Sequence, residues 1–261
     1  ELEQRMKQGV QTLPPRTVHE AAETVLAQIA GDKPLRGRLV PFPFSRMHQF
    51  GGGCELMQPG LLTGILALSG HGKTTWWQSF SEMLLVHPRQ FGFLVDSQEF
   101  TPEVDHVKRL QRDIGGVTYG DINKHMYEMQ IQSELAQGKY YRPEVNICDS
   151  RLLQPETIAR IQQHTDAMRF KYSGHLEYAQ KYNYIEDTLD YMKRRTSELR
   201  STNKNIDVWI FDYLTLYYAK PVSLQGTDEQ LFNVILKMIK DAANDMAIPV
   251  HVLVLLQPNK A

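Results

Sequence analysis

The octet Ala67 to Thr74, reading ALSGHGKT, constrains the fold more than any other stretch, because such a glycine-rich turn functions only between a strand and a helix. Leu61 to Leu68 is a strand-like apolar run, and Thr75, Trp76, Trp77, Gln78, Ser79 and Phe80 continue in a helix-compatible pattern. Gly70 and Gly72 let the backbone curl so that successive amide hydrogens face one concavity, to which the helix N-terminus adds partial positive charge. Phosphate oxygens fit such a nest. The cradle is Ser69, Gly70, His71, Gly72, Lys73, Thr74 and Thr75, with Lys73 reaching the β- and γ-phosphates and the Thr74 hydroxyl ligating Mg²⁺. The alternative is a chance turn between two core elements, and the strand before and the Thr pair after favour the phosphate site. Ala67 stands where the general GxxxxGK[ST] pattern has its first glycine. Adjacent Trp76 and Trp77 point to different sides of a helix, so at most one belongs to the core and the other meets a nucleotide, a partner or solvent.

At 261 residues and 42% hydrophobic, the chain suffices for one large α/β domain with an appendage or for two small domains, the former being favoured. Its net charge of −1 gives no global basic footprint, which confines any nucleic-acid contact to a local patch or the inside of an assembly. Cys54 and Cys148 form no CxxC pair, which argues against a disulfide scaffold or zinc and suits a reducing cytosol. No run reaches the length of a membrane span and the polar start has no signal-peptide profile, so a cytoplasmic protein is expected.

Along the chain, Thr17 with Glu20 forms a capping box for an amphipathic helix to Ala30, ended by Gly31. A Pro- and Gly-rich connector, 34–60, separates it from the phosphate loop, so residues 1–35 read as an arm and 36–261 as the main domain. The arm helix either folds back on its own domain or docks on a neighbouring subunit. Strands are expected at Phe91 to Val95, Val145 to Cys148, Asp207 to Leu216 and Val250 to Leu256, with helices opened by Thr101-Pro102, Pro155-Glu156 and a Thr227/Gln230 capping box. The stripe Tyr182, Ile185, Leu189, Met192 and Leu199 reads as core packing. Alternating strands and helices predict an α/β fold with a mainly parallel sheet flanked by helices.

Phosphoryl transfer to water needs a phosphate cradle, a divalent metal, a base for the attacking water and positive charge for the transition state. Asp212, ending an apolar strand, is a Walker B candidate for holding Mg²⁺, or else a structural acid capping a loop. Glu99, a few residues past its strand, is the candidate base, with Asp96 as the rival acid and a helix-terminus role as the alternative. Gln257, at the end of the last strand, is placed to sense the γ-phosphate or is a simple loop residue.

The order ALSGHGKTT, VDSQEF, ICDS, WIFDYLTL, IPVHVLVLLQPNK resembles the RecA-like ATPase domain of DnaB-type replicative DNA helicases, whose members show an alanine-led phosphate loop, an SLEM-like motif, a DYLQL-like Walker B and a PV(I/V)xLSQLNR-like end strand. The resemblance covers roughly residues 17–261, strongly at the motifs and weakly elsewhere. Leu256, Pro258 and Lys260 depart from the family's usual Ser, Leu and Arg. The resemblance implies ATP and Mg²⁺ as ligands, Lys73 and Thr74 on phosphate and metal, Glu99 as catalytic glutamate, Asp212 as Walker B acid, and Gln257 coupling nucleotide state to DNA.

It further implies a linker helix at Thr17 to Ala30, a homo-oligomer in the form of a hexameric ring, single-stranded DNA in its channel, primase or loader proteins as partners, and a bacterial or phage-infected cytoplasm. The helical stretch at about 165–203 is longer than expected for the family and reads as an insertion; Lys193, Arg194 and Arg195 within it read as a solvated face before a nucleic-acid contact. The family continues past its sensor strand with a DNA-binding loop and an arginine finger, so the sequence is expected to be incomplete after Ala261, and Lys220 is the sole cation of the remaining loop candidate, Tyr217 to Thr227. The rival functions are a nucleotide-gated assembly or loader ATPase without unwinding, and a small-molecule kinase.

Overall fold

Strand residues with alternating faces need a helix on each side, and the sheet obtains one on both. The computed structural model describes residues 17–33, 36–44, 56–68, 70–99, 101–139, 152–171, 174–214 and 228–257. The expected strand at Val145 to Cys148, the Thr227 cap, Ser69 and Lys220 lie outside them. The chain divides into two units, Glu1–Arg36 and Gly37–Ala261. In the first, helix α1 (Val18–Ala30) has Thr17 and Glu20 in a reciprocal capping box and Gly31 in the left-handed conformation at its end, as the sequence predicts.

The second unit opens with a short antiparallel pair, β1 (Val40–Pro41) and β2 (Leu56–Met57). Its main sheet contains β3 (Leu62–Leu66), β4 (Phe93–Ser97), β5 (Leu176–Tyr178), β6 (Val208–Asp212) and β7 (His251–Leu256), in the spatial order β3-β7-β6-β4-β5. All four pairings are parallel. The α/β fold with a mainly parallel sheet is therefore what the chain adopts, consistent with a RecA-like or Rossmann-type arrangement. Between the strands run α2 (Lys73–Leu85), α3 (Pro102–Asp113), α4 (Tyr119–Ala136), α5 (Pro155–Lys171), α6 (Ile185–Ser201) and α7 (Asp228–Asn244).

Side-chain alternation along the strands sorts the core into two layers. Phe93, Val95, Val208, Ile210, Leu253 and Leu255 pack with Trp77, Phe80, Leu84 and Leu85 of α2. From the opposite face, Leu94, Trp209, Phe211, Val252 and Val254 pack with α6 and α7. Each such buried side chain contributes about 1.5–3 kcal/mol of transfer free energy. A smaller cluster of Leu110, Ile114, Val117 and Ile122 joins α3 and α4.

The stretch read as a helical insertion supplies the edge strand β5, in register with Phe93 to Val95. It also supplies α6, whose Ile185, Leu189, Met192 and Leu199 are core. Backbone closeness permits the neighbouring β4–β6 pairing: a Cβ on Gly92 would lie 1.6 Å from the Asn205 carbonyl oxygen, so the entries to β4 and β6 touch main chain to main chain.

Candidate functional site

Because every strand of the main sheet is parallel, all of its C-terminal ends lie along one edge, where open α/β sheets bind ligands. Four of the predicted residues or segments fall at the ends of adjacent strands there. The loop after β3 carries the phosphate-loop sequence, Gln257 directly follows β7, β6 ends at Asp212, and Gln98 and Glu99 follow β4. The strand of Gln257 sits between the loop strand and the strand of Asp212. Ala67 N–H donates to the Leu256 carbonyl at 3.2 Å, continuing the β3–β7 ladder into the loop.

The loop has the backbone its composition predicts. Gly70 and Gly72 both have φ of 78°, a conformation that disfavours a side chain, and Gly72 is the N-cap of α2. His71 and Thr75 are exposed, and Thr74 is half-buried in the first turn. The Lys73 ammonium is buried and donates to the Ala67 carbonyl at 2.9 Å, the Leu68 carbonyl at 3.4 Å and Gln257 Oε1 at 3.4 Å. It also lies 5.9 Å from the Tyr213 ring centroid. Lys73 and Gln257, 184 residues apart, thus meet directly.

Asp212 is fully buried. Burial pushes its carboxyl from 3.8 up to about 6; a hydrogen bond from Trp77 opposes that shift, and the Glu99 charge adds to it. Glu99 is thereby close enough to Asp212 to be felt electrostatically. It is exposed, just ahead of Thr101, the N-cap of α3. Gln98 N–H donates to the Asp212 carbonyl at 2.8 Å, tying the segment that carries Glu99 to the end of β6.

Asp96, the rival acid, points elsewhere. Alternation along β4 puts Ser97 on the α2 side with Asp212, and Asp96 with Leu94 on the opposite side. There it is fully buried, accepts from Gln98 Nε2 at 3.2 Å, and is raised from 3.8 to about 7 by burial. Asp96 thus lies on the face of the sheet away from α2 and Asp212, whereas the Glu99 charge is felt by Asp212.

The two tryptophans divide as the helix geometry requires. Trp77 is buried and its indole N–H donates to Asp212 Oδ2 at 2.9 Å. Trp76 is half-buried, stacked on Phe80 at 5.4 Å and flanked by Phe42 and Phe44 of the connector. The Trp77–Asp212 bond was not legible in the sequence, since nothing in either segment marks a contact across 135 residues. Lys193, Arg194 and Arg195 are engaged in ion pairs with Asp245, Glu198 and Glu177, of which the Arg195–Glu177 pair is bidentate.

The residues fit a hydrated Mg²⁺. Asp212 Oδ1 is buried with no hydrogen-bond partner, an arrangement that costs free energy unless something fills it. Among the described residues no group of three His, Cys, Asp or Glu could hold a metal alone. Mg²⁺ does not require one, because it commonly binds through one or two carboxylates together with substrate phosphates and water.

A scan against protein-family models finds no match for this chain, and a search of curated proteins finds none. No helix among the described residues is long and apolar enough to cross a membrane.

Proposed function

We propose that this chain is the RecA-like ATPase unit of a ring-forming DNA helicase, hydrolysing ATP with Mg²⁺ and translocating on single-stranded DNA during replication. The observation that carries the reading is the adjacency of strand ends: Lys73, Gln257, Asp212 and Glu99, from four segments, converge on one edge, with Lys73 bonded to Gln257. A chance phosphate-loop sequence would not bring its lysine to the end of another strand beside a buried, half-satisfied carboxylate.

In this reading the amides of the loop and the α2 N-terminus hold the β- and γ-phosphates, and the Lys73 ammonium supplies positive charge to the oxygens that gain it in the transition state. Thr74 and Asp212 would hold Mg²⁺, which neutralises charge on the same phosphates. Glu99 accepts the proton of the attacking water. Gln257, neutral and able both to donate and to accept, registers the γ-phosphate through the same contact it now makes with Lys73. Its strand leads directly into whatever follows residue 257, so a change at the phosphate is transmitted along the chain.

The resemblance to DnaB-type helicases supports the DNA half of the proposal. A near-neutral charge is compatible with it, because a few loop cations per subunit, repeated around a ring, suffice for backbone contact. The test is ATP hydrolysis with and without single-stranded DNA. Stimulation of severalfold or more is expected; hydrolysis indifferent to DNA contradicts the motor and leaves a nucleotide-gated assembly or loader ATPase as the function.

A further inference from the structure

The environment of Asp212 contains a residue for which the nucleotide-site reading has no role. We infer that Trp77 is a positioning residue that orients the Asp212 carboxylate for a divalent cation, an inference that rests on the site reading above. The indole N–H donates to Oδ2 at 2.9 Å and leaves Oδ1 buried with no hydrogen-bond partner. Both side chains are fully buried. A neutral donor satisfies one oxygen and fixes the plane of the carboxylate without cancelling the charge that attracts a cation, whereas a lysine or arginine there would compete with it.

The indole is itself held. The Arg109 guanidinium lies 5.4 Å from the Trp77 ring centroid, and Tyr178 meets the ring at 6.4 Å and 66°. Arg109 is anchored by Asp105 at 2.7 Å and Glu82 at 3.1 Å. Gln78, one residue beyond Trp77, donates to Asp105 as well. Arg109 belongs to α3, the helix that begins immediately after Glu99. One helix thus follows the proposed base and clamps the residue that holds the proposed metal ligand.

The competing account is that Trp77 is an ordinary core residue whose N–H needs an acceptor. Trp209 is such a residue: buried, on the other face of the sheet, with its N–H donating to Thr196 Oγ1 at 2.9 Å. Trp209→Phe therefore removes an equivalent hydrogen bond from an equivalent depth, and it serves as the control for Trp77→Phe.

The experiment measures binding of a fluorescent ATP analogue to the full chain as Mg²⁺ is raised, together with thermal unfolding, in wild type, Trp77→Phe and Trp209→Phe. Both variants are expected to lose comparable stability. Only Trp77→Phe is expected to need about tenfold or more Mg²⁺ for half-maximal tightening, the size of effect typical for a group supporting a metal ligand. Its affinity without Mg²⁺ should match wild type.

A second arm leaves Trp77 intact: in the Trp76→Phe/Trp209→Phe chain it is the sole tryptophan, since the sequence has three. Its emission should change when Mg²⁺ joins the nucleotide complex, and this arm decides if Trp77→Phe does not fold. Unaltered Mg²⁺ dependence in Trp77→Phe, an equal change in Trp209→Phe, or constant Trp77 emission overturns the inference alone. Absence of nucleotide binding by wild type overturns the site reading and this inference with it.

Discussion

Replacing Glu99 by glutamine lowers ATP turnover about 10²- to 10⁴-fold and leaves nucleotide affinity nearly unchanged, as expected when a general base is lost from a site otherwise intact. Glutamine keeps the length and hydrogen-bonding reach of the side chain but cannot take up the proton of the attacking water. Affinity is retained because the phosphates are bound by the loop amides and Lys73, which Glu99 does not touch in the hydrogen-bond network described above. The exposed position of Glu99, beyond the end of β4 and ahead of α3, leaves it reachable by solvent water, whereas Asp96 is enclosed on the other side of the sheet. Single-turnover hydrolysis, measured beside equilibrium binding, checks this. Wild-type turnover in Glu99→Gln would mean that the base is another group.

Asp96→Asn stabilises the protein by about 2–4 kcal/mol at pH 8 and by little at pH 4. The carboxyl of Asp96 has a folded pKa of about 7 against 3.8 for an ordinary aspartate, because burial disfavours its charged form. The folded state therefore holds the Asp96 proton more tightly than the unfolded state does. The stability this confers is complete below pH 3.8 and is lost as pH rises through 7, when the fully buried group must ionise. Each tenfold difference in proton affinity is worth about 1.4 kcal/mol, so three decades amount to about 4 kcal/mol. Asparagine never ionises and keeps an oxygen for Gln98, but its amide must find an acceptor where Asp96 Oδ2 has no partner, which offsets part of the gain. Urea unfolding at the two pH values measures the difference. A variant no more stable than wild type at pH 8 would refute the burial account.

Much of this architecture was legible because its signals are local. The Thr17–Glu20 capping box, Gly31 after the first helix, Thr101-Pro102 at the start of α3 and the apolar run closed by Gln257 are each set by a few neighbouring residues and are found as read, whereas the strand expected over Asp207 to Leu216 runs only Val208–Asp212. Boundaries shifted modestly: the strand expected at Phe91 to Val95 runs Phe93–Ser97, because Phe91 and Gly92 are taken up by contacts at the entry to the strand. β5 went unseen, since three residues, Leu-Glu-Tyr, carry no period that distinguishes a strand from a connector. Within the site, the residues with motif spacing were readable, while the choice between Asp96 and Glu99 and the role of Trp77 depend on which face of the sheet a side chain occupies and on contacts between segments more than 100 residues apart. Those follow from register and packing, which no local pattern encodes.

The account stands or falls on whether the edge formed by Lys73, Gln257, Asp212 and Glu99 holds a magnesium nucleotide. Calorimetric titration of ATP into the wild-type chain and into Lys73→Ala, each with and without Mg²⁺, tests this directly. The account predicts one nucleotide per wild-type chain, bound more tightly with Mg²⁺, and an affinity about 30-fold or more weaker in Lys73→Ala, the cost of removing one partner of a buried charged contact. No binding by wild type, or equal binding by the variant, would contradict it.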